Sequence, residues 1–241
     1  MNIFKESLGL VILISHYMVL GNFYINLENV DTKQSELHGA SIDVNKGSVV
    51  RSVCVRFLVA RTGAAQTIFY TPFEDNFVMQ IAFQDKYGFL RINGKWIIYH
   101  IPIPIIPYVY KHLCFSRNET NYSVVSDGVL WYSFKLRKAD IPTITKPVNI
   151  QKITFGPLGY PFFSGRYFLG RVSELNIFSN SFTDQELIEI TKSCDRIDRG
   201  DKIFDWSNLK PSDVYIPNNV DIRYKNFYFL TNWKYCLMPK S

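Results

Sequence analysis

The sequence predicts an all-β protein, a two-sheet antiparallel jelly-roll sandwich with one short helix late in the chain. Three observations predict it. Phe, Tyr and Trp number 19, 15 and 4, and bulky side chains suit a half-buried pleated surface. Strand-length apolar runs recur along the chain with turn residues between them. A single strong helix start stands near the end. With 47% hydrophobic and 20% charged residues, 13 Gly and 11 Pro in 241, the composition is that of a packed protein and excludes disordered, collagenous and coiled-coil classes. Sandwiches routinely reach about 200–250 residues as one domain, and residues 22–241 are read as one. Lys and Arg total 27 against 21 Asp and Glu, a formal charge of +6. No run of five like charges occurs, so no nucleic-acid arm is expected.

The first element is an address. Met1 to Gly21 holds Lys5, the apolar core Leu8 to Ile14, and small residues at Val19 and Gly21. That core is too short to span a bilayer and has the length of a signal-peptide hydrophobic region, so residues 1–21 are expected to be removed. No later segment has the length of a transmembrane span, and the mature chain is expected to be secreted and extracellular. Cys54, Cys114, Cys194 and Cys236 all follow the cleavage point, and an even number in a secreted chain reads as two disulfides with three possible pairings. His16, His38, His100 and His112 are scattered and no Cys-x-x-Cys occurs, which disfavours zinc. Overlapping sequons place candidate glycosylation sites at Asn118 and Asn121.

The strands follow in order. Val49 to Ala60 alternates Val53, Val55, Phe57 and Val59 against Ser52, Cys54, Arg56 and Leu58, a strand holding Cys54 in its middle. Thr67–Thr71 and Phe77–Phe83 are further β-rich runs, separated by Pro72 to Asn76. Asn93-Gly94 between Phe89–Ile92 and Lys95–Tyr99 marks a two-residue hairpin, as Asp127-Gly128 does before Val129–Leu136. Ile101 to Pro107 carries three prolines, which restricts it to an edge or a connection. Tyr108–Ser116 and Tyr122–Val125 flank the sequon turn. Pro142 and Pro147 bound a loop, and Val148–Phe155, Tyr167–Gly170 and Val172–Phe178 complete the strands. Thr183-Asp184-Gln185-Glu186 is a capping box opening a helix to about Ser193, with Leu187, Ile188 and Ile190 as its apolar stripe.

Ser52-Val53-Cys54-Val55-Arg56-Phe57, Asp75-Asn76, Asn93-Gly94-Lys95 and His112-Leu113-Cys114-Phe115-Ser116 follow one another in the order seen in pentraxins. Phe168 to Phe178, running on through Thr183 and Glu186 to Cys194 and Trp206, resembles the closing strand, helix and tryptophan of that family. The chain thus resembles the pentraxin and laminin-G-like, concanavalin-type lectin superfamily over about Val49 to Trp206. The family signature is half met: His112, Cys114 and Ser116 stand in place, but Arg117 replaces its Trp and Glu119 its last hydroxyl residue. The resemblance implies a Cys54–Cys114 bond, and with it Cys194–Cys236.

It also implies a calcium-dependent ligand site, which this chain departs from. Asp75 and Asn76 match the family's first calcium ligands, but the acidic, amide-rich cluster that completes the site is replaced by Phe155-Gly156-Pro157-Leu158-Gly159-Tyr160-Pro161. Calcium takes six to eight oxygens, so Asp75 and Asn76 are vestigial, no metal is expected, and no cofactor is expected. Glycoside hydrolases on such sandwiches need two carboxylates flanking one bond. No strand carries acids at i and i+2, Glu174 stands alone, and no Gly-x-Ser-x-Gly elbow or phosphate loop occurs, so an enzyme is not expected. Two binding features remain: the basic group Lys135, Arg137 and Lys138, with Lys135 and Arg137 on one strand face, and apolar Ile101–Pro107.

The sequence therefore reads as a secreted, non-catalytic recognition module for an extracellular glycan or protein ligand, independent of calcium, with homo-oligomers allowed. The alternative is a structural, self-associating component of a secretion or matrix, which the apolar segment favours. N-terminal sequencing of the exported protein is expected to begin at Asn22; a membrane-retained product beginning at Met1 would contradict the leader.

Overall fold

In the computed structural model, residues 23–27, 40–61, 65–73, 76–84, 87–155, 168–193, 197–216 and 221–224 are described. Their strands are β1 (Phe23–Asn26), β2 (Ser41–Ser48), β3 (Ser52–Val59), β4 (Ala65–Phe73), β5 (Asn76–Gln84), β6 (Tyr87–Ile92), β7 (Lys95–Pro102), β8 (Tyr110–Arg117), β9 (Asn121–Ser126) and β10 (Val129–Lys135). After the one-turn helix α1 (Ile141–Ile144) come β11 (Val148–Phe155), β12 (Gly170–Phe178), helix α2 (Asp184–Lys192), β13 (Lys202–Asp205), β14 (Val214–Tyr215) and β15 (Asp221–Tyr224). Two antiparallel sheets result. Sheet A runs β10-β9-β8-β3-β12-β1-β15 with β13 also on β12, and sheet B runs β14-β2-β11-β4-β5-β6-β7. The predicted all-β sandwich with a late helix is the fold observed.

Turn chemistry sets the register. Asn93 and Gly94 take φ of 47° and 74°, and Asp127 and Gly128 take 51° and 77°, the paired positive values that match a two-residue turn to strand twist. The first turn opposes Ile92 to Lys95 and the second Ser126 to Val129. Gly170 serves a close approach: a Cβ there would stand 1.9 Å from the Leu58 carbonyl oxygen, so β12 enters beside β3 only with glycine.

The core lies between the sheets. Phe57 of sheet A stacks on Phe83 of sheet B at 5.3 Å, and Trp206 bridges Phe23 at 5.2 Å and Phe155 at 5.9 Å. A second apolar cluster covers the opposite face of sheet A, where Cys54, Cys114, Val125 and Phe178 meet Phe182, Leu187 and Ile190. That cluster explains why all eight residues of β3 are buried. Its two alternating sets face two cores, one between the sheets and one beneath α2.

Helix α2 is held at both ends. Thr183 Oγ1 accepts from the Glu186 N–H at 3.3 Å while a Glu186 carboxylate oxygen accepts from the Thr183 N–H at 2.7 Å, the predicted capping box. Those bonds hold the Glu186 carboxyl below its ordinary range. At the other end Arg56 Nη2 donates to the Ser193 carbonyl at 2.5 Å, a cation where the helix dipole is negative.

Several expectations are corrected. The separation read at Pro72–Asn76 narrows to residues 74–75, because β4 runs to Phe73 and pairs it with Asn76. The Pro142 loop contains α1, where Pro142 stands in the first turn and needs no N–H partner. The runs read at Tyr167–Gly170 and Val172–Phe178 give one strand, β12, continuous from Gly170, so Phe168 and Leu169 precede it. Strands β1, β2, β13, β14 and β15 were not expected from the sequence.

Cys54 and Cys114 are directly opposite on β3 and β8 and are bonded, with S–S 2.05 Å. Their sequence separation is 60, and closing a loop of that size stabilises by about 4 kcal/mol in the chain-entropy model. Replacing both by Ala is expected to lower the denaturant-unfolding free energy by a few kcal/mol, with peptide mapping of the parent finding this pair.

Candidate functional site

The signature residues of β8 are structural. His112, Cys114 and Ser116 are buried and occupy alternate positions on the face that α2 covers. Ser116 Oγ accepts from the Phe182 N–H at 2.8 Å and from Ser52 Oγ at 2.9 Å, fixing the approach to α2. Arg56, also on that face, pairs with Glu174 at 2.6 Å with side chains 3% and 17% exposed. A bulge in β12 makes this possible. Glu174 and Leu175 together oppose Val55, because Ser173 pairs with Arg56 and Asn176 with Cys54. The extra residue, Glu174, takes φ of 54°, which turns its carboxylate toward Arg56 while Leu175 enters the core.

A shallow depression beside this bulge is lined by Glu174, Asn176, Lys202, Asp205 and Ser207. Its polar atoms are spent on one another. Asp205 accepts from the Ser207 hydroxyl at 2.7 Å and Lys202 Nζ at 3.0 Å, and Asn176 Oδ1 accepts from the Trp206 N–H at 3.3 Å. Burial pushes the Asp205 carboxyl up, but hydrogen bonds from Ser207 and Lys202 outweigh it and hold the group below its ordinary range. Glycoside hydrolysis needs one carboxyl kept protonated; Asp205 is shifted the other way and Glu174 is committed to Arg56. The depression closes β13 onto β12.

Open chemistry lies at the opposite, free edge of sheet A. Beyond the Ser52–Ser116 pair, the Arg117 N–H donates to the Arg51 carbonyl at 2.8 Å. Arg117 stands opposite Tyr122, and Tyr122 opposite Phe134. Arg51, just before β3, and Arg117, Tyr122 and Phe134 of β8, β9 and β10 thus form a row along one end of the sheet. Arg117 is 2% and Tyr122 1% exposed. Arg117 Nη2 makes one long bond to the Val50 carbonyl at 3.4 Å, while Arg117 Nε and Tyr122 Oη are buried with no partner among the described residues. Burial lowers the Arg117 pKa, Tyr122 raises it, and the like charge of Arg51 lowers it further; burial drives the Tyr122 hydroxyl well above its ordinary value, so it remains a neutral donor.

Aromatic rings continue the row to solvent. Tyr122 stacks on Phe134 at 5.8 Å and Phe134 meets Tyr132 at 5.3 Å, with Tyr132 48% exposed on the edge strand β10. Lys135 ends that strand, exposed and opposite Asn121. Arg137 is not on the same strand face, as β10 stops at Lys135; it pairs with Asp140 at 2.8 Å, which Lys95 also contacts at 3.1 Å. Lys138 is exposed.

The remaining candidates divide. Asn118 is exposed in the turn between β8 and β9, its Oδ1 accepting from the Asn121 N–H at 2.7 Å and the Thr120 N–H at 3.0 Å, and Asn121 opens β9 half-buried. Asn76 opens β5. Asp75, the 156–161 loop, the 1–21 leader, Cys194 and Cys236 lie outside the described residues. In the proline-rich segment Ile103 is buried, Ile105 packs partly on the core and Ile106 is 53% exposed. The arginine row was missed as a site. Its trace in the sequence was Arg117 standing where the pentraxin signature has Trp.

The chain matches no protein-family model and no curated protein. Among solved structures it superimposes on a heptameric SAP-like pentraxin from Limulus polyphemus, with TM-score 0.65 and 14% identity over 85% of this chain and 95% of that one. A pentraxin-like, concanavalin-type sandwich is the fold of this chain. The pentraxin-like sandwich also matches the CBM40 of a Ruminococcus gnavus IT-sialidase bound to α2,3-sialyllactose (TM-score 0.51, 12% identity, 64% and 93% covered) and the extracellular region of zebrafish Gpr126/Adgrg6 (0.58, 13%, 86% and 27%). Of the zebrafish chain, the pentraxin-like fold spans about a quarter.

Arg56 ties β3, the β12 bulge and the end of α2 together. Removing one partner of a buried pair typically costs about 3–5 kcal/mol. Arg56→Met is expected to destabilise by roughly that much in denaturant unfolding, and Glu174→Gln by less because Glu174 is partly exposed.

Proposed function

We propose that this protein is a secreted, non-catalytic recognition module that binds an extracellular glycan without calcium, through the free edge of sheet A. One observation carries the reading: exposed Tyr132 continues, through Phe134 and Tyr122, into Arg117, which has no carboxylate partner among the described residues. An exposed ring offers a flat apolar face to a sugar, and the neighbouring cations and hydroxyl offer directional donors. The fold is shared with a sialidase module bound to sialyllactose, which supports a carbohydrate ligand. The Cys54–Cys114 bond supports an oxidising compartment. In this reading residues 1–21 are the leader, residues 22–241 the mature domain, and one of the two sequons, Asn118 or Asn121, carries glycan.

Calcium has little to hold it. Asp75 and Asn76 bring one carboxylate and one amide, and 156–161 adds backbone carbonyls alone. A second reading, self-association, has its own support in β10, an edge strand with Val129 50%, Leu130 39% and Tyr132 48% exposed.

A glycan array run in EDTA and in calcium is expected to give the same bound set, and Tyr132→Ala to lose it. No bound glycan together with concentration-dependent oligomers in sedimentation would favour self-association. About 2 mM calcium should stabilise a millimolar site by no more than about 0.7 kcal/mol. A melting rise of many degrees that Asp75→Ala abolishes would contradict calcium independence.

A further inference from the structure

Two arginines stand side by side in the row, and neither has a carboxylate partner among the described residues. The Arg117 N–H donates to the Arg51 carbonyl at 2.8 Å where the chain enters β3, and the like charge of Arg51 acts against that of Arg117. Arg117 is also almost wholly buried, and a buried guanidinium without a counter-charge is strongly destabilising. The exposed acid in the adjoining turn, Glu119, bonds to neither. Among the described residues Arg117 Nε has no acceptor, the Tyr122 hydroxyl has no partner, and Arg117 Nη2 has a single long bond. Arg117 and Tyr122 are register partners on adjacent strands, and half-buried Arg51, next in the row, brings it toward the surface.

We propose that Arg117, with Arg51 and Tyr122, forms an oxyanion subsite that takes the carboxylate or sulfate group of an acidic glycan. The inference rests on the glycan reading and names its ligand class. A planar fork of N–H donors beside a neutral hydroxyl matches the oxygens of either group, and the anion supplies the charge that the two arginines lack. The sugar ring then lies toward Tyr132, two residues along β10 from Phe134. Arg117 sets the preference for a charged sugar, and Tyr132 contributes to any sugar.

The test is calorimetric titration, in EDTA, of a matched trio of oligosaccharides: neutral, carboxylate-bearing and sulfated. Wild-type protein is expected to bind one acidic form about tenfold to a hundredfold more tightly than the neutral one, the range of a hydrogen bond to a charged group. Which acidic form wins identifies the source of the oxyanion. Arg117→Met, which keeps the volume and removes the charge, is expected to reduce that preference to below about threefold while neutral binding persists. Arg51→Gln, at a half-buried position, gives the same readout if the Met variant fails to fold. Equal affinity for all three in wild type, or a preference unchanged in both variants, would overturn the subsite and leave the glycan reading standing. Binding of no oligosaccharide would overturn both, even if free sulfate or acetate raised the melting temperature of wild type more than that of Arg117→Met.

Discussion

Everything in sheet A depends on β3 being buried on both faces. One face packs Val53, Val55, Phe57 and Val59 into the inter-sheet core, as any sandwich strand does. The other carries Ser52, Cys54 and Arg56, a polar set that needs cover and partners. Helix α2 supplies the cover, Cys114 the covalent bond, and Ser116, Glu174 and the Ser193 carbonyl the polar contacts. The bulge at Glu174 follows from that need. In a regular strand position 174 would oppose Val55 and its carboxylate would point into the apolar core, leaving Arg56 without that charge partner.

The same requirement removes two attractive sites from consideration. The His-x-Cys-x-Ser pattern and the depression at Glu174 and Asp205 hold the residue types that chemistry uses, yet each group is buried or paired in service of the helix and of β13. Among the described residues, polar groups without partners remain at the other end of β8, where the strand leaves the cover of α2. There Arg117 faces the inter-sheet side, and its neighbours Arg51 and Tyr122 are set by strand register alone.

Local signals were the most legible part of the sequence. Asn93-Gly94, Asp127-Gly128 and the Thr183–Glu186 box each specify a backbone conformation over two to four residues, and each forms as expected. The Cys54–Cys114 pair was legible through family resemblance. Long-range consequences were not. Strand β2 reads Ser-Ile-Asp-Val-Asn-Lys-Gly-Ser, too polar to announce itself, and is held by its pairing with β11. A bulge has no signature in one strand because it exists only relative to a partner. Arg117 looked like a lost tryptophan. Its burial appears once β8 and β9 are paired, which turns an apparent departure from a family pattern into the most distinctive polar group of the fold.

The central claim, that ligand meets this chain at the free edge of sheet A, is tested most directly by hydrogen–deuterium exchange with an acidic glycan in EDTA. Ligand-dependent protection is expected in peptides covering residues 50–52, 117–122 and 132–135. Protection centred on 74–76 and 156–161, or seen only when calcium is restored, would place the ligand at the family's metal-dependent site and contradict the claim.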